Sequence, residues 1–172
     1  MRTGFRKKIS LSFIVLVVGI FILQAQDPLY PTLPKGSKAP AFSGIDEHGN
    51  AFTLTGVKSK FVLLYFYEVH CHLCEAVTPE LKKLYDSYHP LGLEVVAVPL
   101  SSDSLDWRSY IQDQVLNWIN IFPGKMSQEL LKSAYLVTVS PTIYLLDRKK
   151  VLLSERMGRA EQVETELNQR IR

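Results

Sequence analysis

The chain is patterned as short apolar runs separated by segments of helical period. Phe61 to Tyr67 (Phe-Val-Leu-Leu-Tyr-Phe-Tyr) is apolar without a break, the pattern of a central strand buried on both faces. A helix-like segment follows, from Cys74 or Glu75 to Tyr88, with Leu81, Leu84, Tyr85 and Tyr88 at helical spacing. Pro79 lies inside it and predicts a kink, because its ring crowds the preceding turn and it has no N–H. Leu93 to Leu100 reads as the next strand, and Asp103 or Ser104 can cap a helix running to about Val115. The pattern then predicts a short strand over Trp118 to Phe122, a helix over Ser127 to Tyr135 and a strand over Thr142 to Leu146. After the polar turn Asp147 to Lys150, Val151 to Ser154 is expected to pair back as a hairpin. Ala160 to Ile171 is expected to close the chain as an amphipathic helix. Upstream, Phe42 to Leu54 carries two apolar pieces around Gly49-Asn50 and predicts a β-hairpin. These elements make an α/β domain with a mixed central sheet and helices on both faces.

Composition fits one such domain: 172 residues, 47% hydrophobic and 22% charged, are enough to bury a core. The formal charge of +3 comes from the N-terminus, where Arg2, Arg6, Lys7 and Lys8 precede the first acidic residue. Without them 16 basic residues face 17 acidic ones, so no basic patch is expected and nucleic acid is not a partner. The four charges lead into an apolar stretch, Ile9 to Leu23. That is the form of a secretory signal and short for a membrane span, which needs about 20 apolar residues. Residues 1–26 are therefore read as a signal peptide or an uncleaved membrane anchor. The Pro-rich stretch 27–40 is read as a linker, and 41–172 as the domain, outside the cytosol.

Cys71 and Cys74 are the only cysteines, spaced Cys-x-x-Cys between the buried strand and the helix. That setting points to a redox-active dithiol. A helix N-terminus offers unpaired N–H groups and a positive dipole end, both favourable to a thiolate at Cys71. Two intervening residues put Cys74 one turn on, within reach of a mixed disulfide formed at Cys71. Cys71 is therefore the expected nucleophile and Cys74 the resolving thiol. His72 either stabilises the thiolate as an imidazolium or points into solvent. A stapling disulfide is disfavoured because so short a loop constrains the unfolded chain little. Zinc is disfavoured because His70, Cys71, His72 and Cys74 are too compact to close a tetrahedron. No metal and no cofactor is expected.

These residues resemble the thioredoxin superfamily, and more closely the exported TlpA/ResA-like thiol:disulfide oxidoreductases. Lys35 to Phe42 with Asp46 and Gly49 looks like that family's leading segment and added hairpin. Phe61 to Cys74 looks like its active-site strand and motif, Pro79 like its helix proline, and Ser140-Pro141-Thr142 like its cis-proline segment. The stretch between Cys74 and Pro141 looks like its inserted helix and strand. The resemblance implies a thioredoxin fold and a main-chain substrate-binding role for Ser140 and Pro141. It also implies reduction of protein disulfides with electrons from a membrane partner. A monomer is expected.

The sequence departs from that pattern where a buried acid would accept the resolving proton. Thioredoxin has it six residues before the first cysteine, where Tyr65 stands, and ResA-like proteins often three after the second, where Val77 stands. His70 replaces a common tryptophan. Glu68 is a candidate substitute acceptor, weighed against an ordinary solvated carboxylate. Trp107 and Trp118 are read as packing residues, and His48 and His89 as solvent-facing loop residues. Two other functions compete. A peroxiredoxin-type peroxidase shares the leading segment, but Tyr67-Glu68-Val69-His70 lacks the threonine and proline expected before its cysteine. A copper-binding assembly module would have three residues between its cysteines.

Overall fold

The computed structural model describes residues 31–100, 103–123 and 125–171. The predicted signal or anchor, and the first residues of the predicted linker, lie outside them. Thr32 to Arg172 forms one compact unit. Its elements are β1 (Ser43–Asp46), β2 (Ala51–Thr53), β3 (Phe61–Tyr67), α1 (His72–Tyr88), β4 (Leu93–Pro99), α2 (Ser104–Gln114), β5 (Ile119–Phe122), α3 (Lys125–Ala134), β6 (Thr142–Asp147) and α4 (Ala160–Asn168). The six strands form one mixed sheet in the order β2-β1-β5-β4-β3-β6. β3 and β4 run parallel, as do β4 and β5. β6 is antiparallel to β3, and the β1–β2 hairpin extends the sheet antiparallel to β5.

The unbroken apolar run of β3 is explained by two cores. Phe61, Leu63, Tyr65 and Tyr67 point to one face, where Leu81 and Leu84 of α1, Trp107 and Tyr110 of α2, and Val163 and Leu167 of α4 pack. Val62, Leu64 and Phe66 point to the other, against Leu131 of α3, Tyr135, Leu54, Val57 and Leu152. Strand side chains alternate, so a strand covered on both faces needs apolar residues at every position. Each fully buried Leu, Val or Phe contributes about 1.5–3 kcal/mol.

The expected hairpin is present. Asp46 closes its turn by accepting the His48 and Asn50 N–H groups at 2.9 and 2.7 Å, and Gly49 takes a φ of 88°. Asp103 caps α2, accepting the Leu105 and Asp106 N–H groups. α1 runs unbroken through Pro79.

Four expectations are corrected. α1 begins at His72, earlier than the apolar spacing indicated, because Cys71 itself is the cap. Val151 to Ser154 does pair back on β6, the Asp147 and Leu153 N–H groups donating to the Val151 and Leu145 carbonyls at 2.9 and 2.8 Å, but as the bridge Leu146–Leu152 rather than as a full strand, with Ile143–Met157 further on. The ladder is interrupted because the Ser154 hydroxyl takes the Leu145 N–H at 3.3 Å, where a backbone carbonyl would sit in a regular strand. α4 stops at Asn168, and the Arg170 side chain folds back onto the Glu166 and Leu153 carbonyls. The end of the Pro-rich stretch is docked rather than free. Gly36 and Ala39 donate to the Leu152 and Lys150 carbonyls at 2.8 Å each, and Ala39 is buried.

Gly44 lies where β1 packs closely on β5. A Cβ there would stand 2.6 Å from Ile121 Cγ2 and 2.8 Å from the Phe122 carbonyl oxygen. Gly44→Ala is therefore expected to destabilise the domain by about 1–3 kcal/mol through overpacking. Urea unfolding checks this, and an unchanged midpoint would mean that the hairpin can move off β5 without loss.

Candidate active site

Three segments meet beyond the C-terminal end of β3. Glu68 to His70 carry the chain from β3 into α1, and the Cys71 N–H donates to the Glu68 carbonyl at 3.2 Å. Cys71 is the N-cap of α1, with extended φ and ψ of −92° and 113°. Its sulfur accepts the Cys74 N–H at 3.3 Å, and its carbonyl accepts the Glu75 N–H at 2.9 Å. The sulfur thus does what a Ser or Asp oxygen does at most helix starts, meeting one of the orphan N–H groups. From the opposite side comes the loop before β6. Its Ser140–Pro141 peptide is cis, as the resemblance implied, and the Ser140 carbonyl lies 3.7 Å from the Cys71 sulfur.

The two thiols are free and differ in surroundings. Cys71 is half-buried, whereas Cys74 is fully buried under the first turn of α1. Burial above all pushes the Cys74 thiol well above the ordinary thiol range, and its hydrogen bond to the Cys71 sulfur acts in the same direction. The Glu68 backbone N–H opposes this, while the nearby Cys71 and Glu68 charges reinforce it. A buried sulfur with no cation beside it keeps its proton.

Glu68 is half-buried at the strand end. His70 and His72 are exposed, so His72 takes the solvent-facing one of its two expected positions. Ser140 is half-buried and Pro141 buried. Trp107 and Trp118 are core residues, as expected. His89 is solvent-exposed, as expected, but it opens a 3-10 turn rather than lying in a free loop: its Nδ1 is 3.0 Å from the Leu93 carbonyl and its ring packs on Tyr85. Among the described residues, no group of three or more His, Cys, Asp or Glu is arranged to hold a metal ion, and no helix is long and apolar enough to cross a membrane.

Sequence reasoning missed a cluster of buried hydroxyls behind Cys74. Thr78, one turn further along α1, donates to the Cys74 carbonyl at 2.8 Å. The Tyr65 and Tyr110 hydroxyls lie 2.9 and 3.1 Å from the same Thr78 oxygen. The Tyr67 ring stacks between those of Tyr65 and Tyr110, at 5.1 and 5.2 Å. Burial, first among several causes, raises the pKa of Tyr65, Tyr67 and Tyr110, so all three remain phenols.

Residues 59–151 match the thioredoxin-like family. The chain belongs to that family. The thiol-disulfide oxidoreductase ResA of Geobacillus thermodenitrificans is 30% identical over 113 residues, which span 66% of this chain and 63% of that protein. The thioredoxin domain of a thiol-disulfide oxidoreductase from Bacteroides vulgatus superposes with a TM-score of 0.76 at 26% identity, covering 82% of this chain and 100% of that one. Glutathione peroxidase-like peroxiredoxin 1 of Saccharomyces cerevisiae is 42% identical over 62 residues, a shorter likeness that covers 34% of this chain and 35% of that protein. The six-stranded sheet with four helices is the thioredoxin fold that these likenesses share.

Two outcomes follow for this thioredoxin-like domain. Iodoacetamide at pH 8 should label the reduced protein on Cys71 and spare Cys74, as read by peptide mass; equal labelling would show that Cys74 is not sealed. The second concerns pH. The folded state holds the Cys74 proton more tightly than the unfolded chain, whose thiol ionises near about 8.5. Above that pH the unfolded state loses the proton and the folded state keeps it, so this stabilisation is lost as pH rises. Urea midpoints of the reduced protein should fall between about pH 8.5 and 10. In Cys74→Ala the fall should be shallower.

Proposed function

We propose that this domain is a thiol:disulfide oxidoreductase acting on protein cysteines outside the cytosol, with Cys71 as nucleophile and Cys74 as resolving thiol. The observation that carries this reading is the Cys71 sulfur at a helix N-cap, 3.7 Å from the carbonyl before a cis-proline, with a second thiol buried behind it. The similarity to thiol-disulfide oxidoreductases supports it.

The Cys71 thiolate attacks one sulfur of a substrate disulfide. That S–S bond breaks, a Cys71–substrate disulfide forms, and the departing substrate thiolate takes a proton. Cys74 then loses its proton and attacks the Cys71 sulfur, releasing the second substrate thiol and leaving the Cys71–Cys74 disulfide. The substrate has gained two electrons, and the domain needs two from a donor before the next turn. Ser140 and Pro141 hold the extended substrate segment through the loop backbone. We take the physiological direction to be reduction, the donor to be a membrane protein, the domain to be monomeric, and residues 1–26 to export or anchor it.

A second reading, a thiol peroxidase, is favoured by the 62-residue likeness to a peroxiredoxin. It is opposed by Tyr67-Glu68-Val69-His70, which brings no threonine to Cys71.

Cys71→Ser should abolish reduction of a protein disulfide such as that of insulin. Cys74→Ser should retain the first attack and accumulate mixed disulfides visible on non-reducing gels. Hydrogen peroxide should be consumed only at background rate. The dithiol potential should lie near thioredoxin's, about −270 mV, whereas a value near about −120 mV would reverse the direction. No reversible two-electron transition at all would end the oxidoreductase reading.

A further inference from the structure

One side chain ties down the loop that faces Cys71. Behind this loop, α3 closes where the Val137 N–H donates to the Lys132 carbonyl at 2.8 Å. Ahead of it, Thr142 opens β6 beside Phe66 of β3. Residues 138–141 cross the gap, and the Thr142 hydroxyl reaches back over them to donate to the Val139 carbonyl at 2.7 Å. Thr142 is fully buried, whereas the Val139 side chain is exposed. The Val139 carbonyl oxygen is therefore turned inward, under the loop. The Val139–Ser140 peptide is trans; the cis bond is the next one. In a trans peptide the C=O and N–H groups point opposite ways. With the oxygen held inward, the Ser140 N–H faces the open side of the loop.

We propose that Thr142 is a positioning residue for the substrate: its hydroxyl holds the Val139–Ser140 peptide in the orientation that offers the Ser140 N–H to an extended chain lying over Cys71. Pro141 has no N–H, so Ser140 supplies the donor at this point of the loop. The Ser140 carbonyl lies 3.7 Å from the Cys71 sulfur. An extended segment pairs through N–H and C=O groups together, and Ser140 brings one of each. A flip of the Val139–Ser140 peptide would turn the donor inward and set a second carbonyl in its place. The flip would also leave the buried Thr142 hydroxyl without its acceptor, which opposes it. Thr142 thus acts through the loop backbone, from a buried position. This inference rests on the exchange reaction proposed above and names the residue that orients its substrate.

The test compares two disulfides. One is a peptide disulfide with several residues on each side of its cysteines; the other is hydroxyethyl disulfide, which has no peptide groups. The pre-reduced full chain is mixed with an excess of either, and the rate of oxidation is followed against disulfide concentration. Thr142→Val keeps the shape of the side chain without the hydroxyl. It should raise the half-saturating peptide concentration about tenfold, the effect of one lost hydrogen bond, and leave the limiting rate unchanged. Its rate with hydroxyethyl disulfide should equal the parent's. Thr142→Ser should restore the peptide reaction. Thr142→Ala also lacks the hydroxyl, should show the same split, and replaces the valine variant if that one does not fold. The proposal is overturned if loss of the hydroxyl leaves half-saturation unchanged or slows both disulfides equally, the mark of a disturbed Cys71 or a loosened fold. It is also overturned if Thr142→Ser fails to restore the peptide reaction. A parent that reduces neither disulfide would end the oxidoreductase reading and this inference with it. A parent that reduces both, with Thr142→Val unchanged, would end this inference alone.

Discussion

Phe61–Tyr67 has apolar side chains on both faces and hydrogen-bonded neighbours on both edges, and the other elements take their places around it. β4 and β6 occupy its edges in register over nearly its full length. α1, α2 and α4 cover one face; α3, the turn at Leu54 and the docked Gly36–Ala39 segment cover the other side of the sheet. A one-residue slip of β3 would exchange its two sets of side chains between two differently shaped cores. That fixes where the strand stops. Tyr67 still accepts the Leu100 N–H at 2.9 Å, and four residues later the chain has become the cap of α1. The position of Cys71 is thus a consequence of how β3 packs, in a core to which Cys74 itself belongs.

The same packing creates an unusual interior beside the second thiol. An ionised carboxylate in that place would have several kcal/mol of desolvation to offset. Phenols and a threonine hydroxyl need only hydrogen bonds, and an unpaired one costs about 1–3 kcal/mol. Tyr65 and Tyr110 meet that need on Thr78. Tyr67 is less well served: among the described residues its hydroxyl and Trp107 Nε1 make no hydrogen bond of good geometry, and the nearby Trp107 Nε1 gives the hydroxyl only a weak interaction. The aromatic stack of Tyr65, Tyr67 and Tyr110 offsets part of this, since such ring pairs contribute about 0.5–1.5 kcal/mol beyond burial. The interior favours packing and neutrality over a built-in base.

How far the sequence revealed this follows from the range of each interaction. β3 was legible because a strand buried on both faces must be apolar throughout. The hairpin was legible from Gly49-Asn50, and the cap of α2 from Asp103, because turn and cap chemistry act within four residues. The start of α1 was legible from the Cys-x-x-Cys setting, which put Cys71 at the helix N-terminus, but not from apolar spacing, because the first turn carries His72 and a sulfur cap instead of a core residue. The broken ladder at Ser154 was hidden because one hydroxyl replacing one carbonyl leaves no mark on hydrophobic periodicity. The hydroxyl cluster was hidden for a different reason. Tyr65 and Tyr67 satisfy the apolar pattern of β3, Thr78 is unremarkable on a helix, and Tyr110 joins them from 32 residues beyond Thr78. One signal was present in hindsight. Tyr65 stands at one of the two positions where the buried acid was missing, and Thr78 follows directly on the other, Val77.

The asymmetry of the two thiols unites these observations. Cys71 lies at the end of a helix, half open to solvent, and receives a backbone N–H. Cys74 lies one turn inside, shut off from solvent, with a hydroxyl network committed to its carbonyl rather than its sulfur. A pair of equivalent thiols would compete for an incoming disulfide and leave the first attack unassigned. In the exchange proposed above, burial excludes Cys74 from large partners and leaves the external step to Cys71. In that reaction the same burial keeps the internal thiol protonated until the Cys71 sulfur is held in a mixed disulfide. Separation of the two roles therefore needs no special group at either cysteine. It follows from a cap position at the edge of the core and a helical step of three residues into it.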